Sequence, residues 1–468
     1  MPSTDGKALK INLDEPRYGV FAEIGAGQEV ARWFFRVGGA AGTVAESISA
    51  YDKAVSDARY GQSGRYVSRE RVRAMLLHEY DRLATKLAGS RGDRSAFFVF
   101  ADTLATRSYS RREEGEGWLG VRFQSQPGAE PSTVVLHVHL LDRIPSREQE
   151  AIGVLGVNLL HGAFYQHADP AALIAALMDD LTPERIEIDV IDFSGPAFAD
   201  VDERLMSLQL VEQGFTEAAM FSADGKIVQP SEVLYKRPIL IERGDFRPVT
   251  KLTLDILESA REQFLAEPEA AAEPPVVLLE MTLRSLTAGG AVDHRDFLAR
   301  ADTLQTLSCD VLISRFGRHF ALVDYLSRYT QKLIGIALGL PSLPRIMEAQ
   351  DYGDLSGGTL EAAGRLFRDH VKVYVYPRRE AAGGKIVALD DLVFSGPARH
   401  LKAFLVETQK LVPLRRFDAG YLTIDGADVR ARMQAGDPTW EGMVPPAVAE
   451  TIKRNGLFGY VAAPSPRR

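Results

Sequence analysis

The chain has 468 residues, 25% of them charged and 46% hydrophobic, the profile of an ordinary globular protein too long for one core and suited to two or three domains. Its formal charge of −8 gives general nucleic-acid binding no electrostatic support. A single cysteine, Cys309, excludes an internal disulfide framework and a zinc site built on several thiolates.

Residues 1–18 read as a polar arm without an apolar export segment, so a cytoplasmic location is expected. From Val30 to Tyr51, small or apolar residues recur in steps of four and three: Val30, Phe34, Val37, Ala41, Val44, Ile48, Tyr51. That spacing predicts one helix with a packing seam. Gly38, Gly39 and Gly42 could instead form a phosphate loop, but the steps run through them unbroken and no GxGxxG or GKS/GKT follows. On the helical reading, Gly38 and Gly42 share a face and allow close helix approach. Ser68 caps a second predicted helix, to Leu87, with Val72, Met75, Leu76, Tyr80 and Leu83 on its apolar face. Together the two make an N-terminal helical hairpin. Arg59, Arg65, Arg69 and Arg71 gather in the loop between them or just after it; such charges more often form a solvated face than a site.

Strands follow at Ala96–Ala101, Trp118–Phe123 and Thr133–Leu141, with a charged loop at Arg111–Gly117. Helices are expected at Gln149–Tyr165, Pro170–Leu181 and Leu205–Gln213, and strands at Ile186–Phe193 and Glu217–Ser222. The Pro, Glu and Ala-rich stretch 266–275 has no periodicity and reads as a linker. Beyond it, strands at Val276–Met281, Asp310–Ser314, Leu333–Leu338 and Val371–Tyr376 alternate with helices at Arg295–Leu307, Phe320–Tyr329 and Leu360–Phe367. A further helix is expected near Leu401–Leu411, and the stub Ala463–Arg468 reads as disordered. The expected architecture is therefore α/β: an N-terminal arm and hairpin (1–92), a mixed α/β middle (93–265), the linker, and a mainly parallel α/β part with a tail (276–468). No run approaches the about 18 apolar residues of a membrane span.

Three constellations could carry chemistry. His137 and His139 lie two apart on a strand and so project from one face, as a metal pair requires. Asp142, His161 or His167 could complete the set; two plain polar-face histidines is the bland alternative. In open α/β sheets, ligands bind beyond the carboxyl ends of strands. Those positions here carry Asp192, Ser194, Glu280, Arg284, Ser314 and Arg315, together with Asp224, Thr282 and Arg318. Carboxylates and arginines in that setting suit an anionic small molecule, phosphorylated or nucleotide-like, accompanied by Mg²⁺. The third is the seam itself, whose stripe (Val30, Phe34, Val37, Gly38, Gly42, Val44, Ile48) would serve a homo-oligomer. Cys309, between Leu307 and Val311, reads as an inert buried thiol.

Four stretches together resemble a bacterial family of about this length: EIGAGQEVARWFFRVGGAAGTVAESISAYD, RLMSLQLVEQGFTEAAMFSADGKIVQPSEVLYKRPI, RYTQKLIGIALGLPSL and MVPPAVAETIKRNGLFGY. Its members are often labelled nicotinate-nucleotide adenylyltransferase, and the resemblance implies a recurring full-length architecture. The HxGH and ISxTxxR motifs of such enzymes are absent; Ile313-Ser314-Arg315 is the nearest approach, so no catalytic residue carries over. Two functions remain: an enzyme acting on a phosphorylated or nucleotide-like metabolite at its strand ends, or a non-catalytic homo-oligomeric assembly protein.

Overall fold

A computed structural model of the chain describes residues 3–107, 114–287, 290–347, 352–380 and 384–462. The stub Ala463–Arg468 and Arg111–Glu113 of the charged loop lie outside the described residues. The fold is α/β, and the chain divides into two compact units, Met1–Ala219 and Met220–Arg468. Residues 1–92 and 93–219 thus share one unit, and 266–275 lies inside the other.

In the first unit the elements run α1 (Thr4–Asn12), β1 (Arg17–Gly25), α2 (Gln28–Arg36), β2 (Val44–Ser49), α3 (Lys53–Tyr60), α4 (Arg69–Arg91), β3 (Ala96–Ala105), β4 (Gly115–Phe123), β5 (Ser132–Leu140), α5 (Pro145–Tyr165), α6 (Pro170–Leu177), β6 (Ile186–Ser194) and α7 (Glu203–Glu212). One six-stranded sheet has the order β2-β1-β3-β4-β5-β6. β1 is parallel to both β2 and β3, while β3 to β6 run antiparallel. α5 is apolar on nearly every side because the sheet covers one side of it and α1, α2 and α6 the rest. Phe21, Phe98 and Phe100 from the sheet meet Val30 and Phe34 of α2 in that core. α4, capped by Ser68 as expected, covers the opposite face, where Leu76 reaches Gly120.

The predicted seam helix is corrected by this arrangement. Its first third is α2; Gly38 and Gly39 then turn the chain at φ +82° and +79°, and Val44 and Ile48 lie on β2. Two residues in the left-handed region end a helix whatever the apolar spacing beyond them. No helical hairpin forms, since β2 and α3 separate α2 from α4. Nor do Gly38 and Gly42 admit a neighbouring helix: a Cβ on either meets nothing within 4 Å. The close approach is made instead by Gly153 and Gly156 of α5, against Trp33 and Val30. Val30 and Phe34 are wholly buried in the chain's own core, so they are not free to join a second copy. The polar arm is likewise corrected. Ala8 and Ile11 of α1 are buried, and the buried Lys7 is tied to Asp179 at 2.6 Å and Asn158 at 2.7 Å.

The second unit continues from the boundary, which falls in β7 (Ala218–Phe221), through β8 (Ile227–Val228), α8 (Pro230–Leu234), β9 (Ile239–Arg243), α9 (Lys251–Leu265), α10 (Pro268–Ala271), β10 (Val276–Thr282), α11 (Leu283–Leu286), α12 (His294–Gln305), β11 (Asp310–Ser314), α13 (His319–Leu326), β12 (Ile334–Gly339), α14 (Leu343–Met347), α15 (Gly358–Leu366) and β13 (Val371–Tyr376). After a two-stranded ribbon of β14 (Arg378–Arg379) and β15 (Ile386–Val387) come α16 (Ala398–Glu407), β16 (Leu411–Pro413), α17 (Gly426–Gln434) and α18 (Pro446–Asn455). Its sheet has the order β16-β13-β12-β9-β10-β11-β7-β8, and the six strands from β16 to β11 are parallel, as their continuous apolar runs require. The chain builds β9, β10 and β11 outward in one direction, then returns to lay β12, β13 and β16 on the other side of β9. That is the doubly wound order, with its reversal between β9 and β12.

Candidate functional site

The doubly wound order places loops of opposite direction at one edge of the second unit, the carboxyl ends of its strands. Arg243 ends β9 beside Glu280 of β10, its partner in register. Its Nε and Nη2 donate to the two carboxylate oxygens of Glu280 at 2.8 and 2.9 Å. Ser314, the last residue of β11, donates its hydroxyl to Glu280 Oε1 at 2.5 Å. Of the residues expected from sequence, Glu280 and Ser314 are therefore brought together, and both are fully buried. Arg284 and Arg315 are exposed. Burial, helped by the Arg243 charge, holds His319 down at about 3, so that ring is neutral. Glu242 is buried with one oxygen lacking a partner among the described residues, and burial alone pushes its carboxyl well above the usual range.

The same edge carries a pocket of about 550 Å³, whose lining includes Arg247 of the β9–α9 loop, Asp293, Arg295 and Asp296 at the start of α12, and Arg430 of α17. Three arginines and three aspartates, Asp302 among them, line it. Arg247 and Arg300 share the single carboxylate of Asp296, each at 2.5 Å. Arg430 donates to the Arg247 carbonyl, and burial followed by the like charge of Arg247 lowers its affinity for its own proton. An anion entering the pocket would relieve that crowding.

In the first unit the expected residues have different settings. Asp192 is committed to Arg73 and, at 3.7 Å, to Arg69. Ser194 is exposed at the end of the same strand. Both stand on an antiparallel edge strand, to which the carboxyl-end rule does not apply. The other gathered arginines are paired as well, Arg59 with Glu79, Arg65 with Glu116 and Arg71 with Asp57. The parallel part of this sheet has its own reversal, between β1 and β3, where Gly25-Ala26-Gly27 leads from β1 into α2. The turn has the form of a phosphate loop but is underlain by acids. Glu23 and Asp102, partners in register, are buried, and neither Asp102 oxygen has a partner among the described residues. Burial, and then the charge of Glu23, push Asp102 well above the carboxylate range; burial pushes Glu23 up to about 7.

His137 and His139 do project from one face of β5, and the group that joins them is Asp189 of β6. Among the described residues, Asp142, His161 and His167 form no such group with them. Asp142 is instead paired with Arg185 at 2.8 Å. His137 Nδ1 lies 2.6 Å from Asp189 Oδ1 and His139 Nε2 lies 3.2 Å from Asp189 Oδ2. Burial disfavours the His139 imidazolium, but the Asp189 charge, with Glu187 and Glu116 behind it, pushes the ring up to about 9. Asp189 is buried, yet the two imidazoles hold it below the usual carboxylate range. Cys309, expected to be buried, is half-buried, and burial pushes its thiol up to about 11.

No protein-family model matches the chain, so the adenylyltransferase resemblance has no support from that quarter. No curated protein matches it either. Among solved structures, it is similar to a competence/damage inducible protein from Agrobacterium tumefaciens, at 17% identity and a TM-score of 0.25, over 34% of this chain and 93% of that one. It is also similar to competence-damaged (CinA) superfamily proteins from Enterobacter cloacae, at 14% identity and a TM-score of 0.26 over 35% and 94% of the two chains, and from Escherichia coli, at 13% and 0.23 over 38% and 91%. Likenesses this partial carry no argument about activity.

The residues that sequence reasoning passed over are Arg243, Arg247 and Arg430 in the second unit and Asp189 in the first. The sequence pattern predicts no strand at 239–243, so Arg243 does not stand out as a strand end. For Asp189 a signal was present: in Ile186–Phe193 the apolar–acidic alternation fails at Val190-Ile191, the mark of an extra residue in a strand.

Proposed function

We propose that the second unit binds an anionic metabolite, phosphorylated or nucleotide-like, at the carboxyl edge of its doubly wound sheet, and that the protein is an enzyme acting on it there. The observation that carries this reading is the doubly wound order of the sheet, together with a pocket beside the loop after β9 and the start of α12 that three arginines and three aspartates line. Arg247, Arg295 and Arg430 would hold the anion, and Mg²⁺ would enter with it, offered oxygen by Asp293 and Asp302. The buried Arg243–Glu280–Ser314 network would hold the strand ends rigid beneath it. No helix among the described residues is long and apolar enough to cross a membrane.

The test is thermal shift and calorimetry against nucleotides and phosphorylated sugars, with and without Mg²⁺. A ligand at ~100 times its dissociation constant adds about 2.7 kcal/mol of stability. Binding that weakens in Arg430→Ala and Arg247→Ala supports the proposal. Absence of any stabilising anion, or binding indifferent to both changes, rejects it.

A further inference from the structure

His137, His139 and Asp189 lie far from the described pocket in sequence and in the other unit, and their geometry asks for its own explanation. Asp189 does not belong to the regular ladder. His137 pairs with Val190 and Val138 pairs with Ile188, so one residue of β6, Asp189, is inserted between consecutive rungs. A bulge turns the side chain of the extra residue and locally interrupts pairing. Glu187 pairs with His139, so alternation along β6 puts Asp189 on the face of β5 that carries both imidazoles, and the bulge takes up the extra residue before Val190 pairs with His137. Without the bulge, side-chain alternation would fix a different face for part of β6. His137 and Asp189 are almost wholly buried, while the His139 side chain is 20% exposed and offers a way in.

We propose that these three side chains form a binding site for one divalent transition-metal ion of the zinc class. The donor atoms are His137 Nδ1, His139 Nε2 and one Asp189 oxygen. All lie within 4.8 Å of one another, a spacing that small side-chain shifts close onto a single ion. Two nitrogen donors with one oxygen select zinc, cobalt, nickel or iron(II) over Mg²⁺ or Ca²⁺, which take oxygen ligands. The surroundings fit a cation. Glu116 of β4, itself paired with Arg65, and Glu187 of β6 stand in register with His139 from either side. Thr216 donates to Glu187 at 2.5 Å, as an outer partner that orients a carboxylate. Trp118 lies against the His137 ring, centroids 4.8 Å apart, and restricts its rotation. Metal binding displaces the protons that the imidazoles share with Asp189 and releases them to solvent. Three protein ligands leave a position for water or a substrate atom, the open form of a reactive rather than a purely structural site.

The test uses the full-length, untagged chain, stripped with chelator and titrated with Zn²⁺, then with Co²⁺ for its visible d–d spectrum. One Zn²⁺ per chain is expected, with Co²⁺ absorption of a low-coordinate site with nitrogen donors. His139→Ala, partly exposed and so compatible with folding, and Asp189→Asn should each weaken Zn²⁺ binding by about 100-fold or more, beyond the 10- to 100-fold expected of an outer partner. Circular dichroism shows which variants keep the fold. If the wild-type chain takes up no stoichiometric metal, or if folded His139→Ala binds it as tightly, the three groups are an internal ion-pair clamp and the proposal is overturned.

Discussion

A Cβ built on Gly27 would sit 1.8 Å from Asp102 Oδ2. Gly27 has φ −85°, which any residue adopts, so its requirement is space and not conformation. The turn into α2 is therefore closed over a buried acid. Gly27→Ala should destabilise the protein by about 1–3 kcal/mol, as overpacking does. Asp102→Ala in the same chain should recover much of that loss. A double-mutant cycle in urea checks it, and additive losses would show that the two residues are uncoupled.

Glu23 carries a pH dependence of definite sign. Its folded pKa is about 7, above its unfolded 4.5. The folded state thus keeps a proton that the unfolded state loses. Stability tied to Glu23 is complete below pH 4.5 and is lost as pH rises through about 7. Glu23→Gln should flatten that decline, by an amount on the order of 3 kcal/mol across the window. Denaturant melts from pH 4 to 8 measure it; equal slopes for both proteins would refute it.

Breaking the Arg243–Glu280 pair should cost more than softening it. Glu280→Ala leaves a largely buried guanidinium unpaired, a loss of about 3–5 kcal/mol. Ser314→Ala, removing one hydroxyl that donates to the same carboxylate, should cost less, about 1.5–3 kcal/mol. Comparable losses in equilibrium unfolding would mean that the pair is not the centre of the network.

Two glycines should fail for different reasons. Gly38→Ala should cost about 1–2 kcal/mol through its left-handed backbone alone, without changing assembly. Gly156→Ala pushes into Val30 at 2.4 Å and should shift the packing of α5 on α2. Near-ultraviolet dichroism from Trp33, which lies against Gly153 one turn away on α5, separates the two.

The protein should not make a dinucleotide from ATP and a pyridine mononucleotide at an enzymatic rate. Its strand–Gly25-Ala26-Gly27–helix turn rests on Glu23 and Asp102, acids where a triphosphate needs positive charge. Steady turnover with ATP and Mg²⁺, abolished by Arg315→Ala in a folded protein, would contradict this.

The sequence by itself determined the α/β class, the parallel character of the strands between Val276 and Tyr376 and most strands from Ala96 onward. Apolar runs such as Val371–Tyr376 bury on both faces and allow few other readings. It also put His137 and His139 on one face, since alternation is local to a strand. It misled from Val30 to Tyr51, where a short helix, a glycine turn and a strand together mimic one helical period. The positive φ of Gly38 and Gly39 decides that stretch, and φ is not written in apolar spacing. Only the tertiary structure decided that β12 returns to the far side of β9, and that β6 pairs with β5 in the register that sets Asp189 beside the histidines. Both depend on hydrogen bonds between residues about 50 to 100 positions apart, for which single-sequence periodicity carries no record.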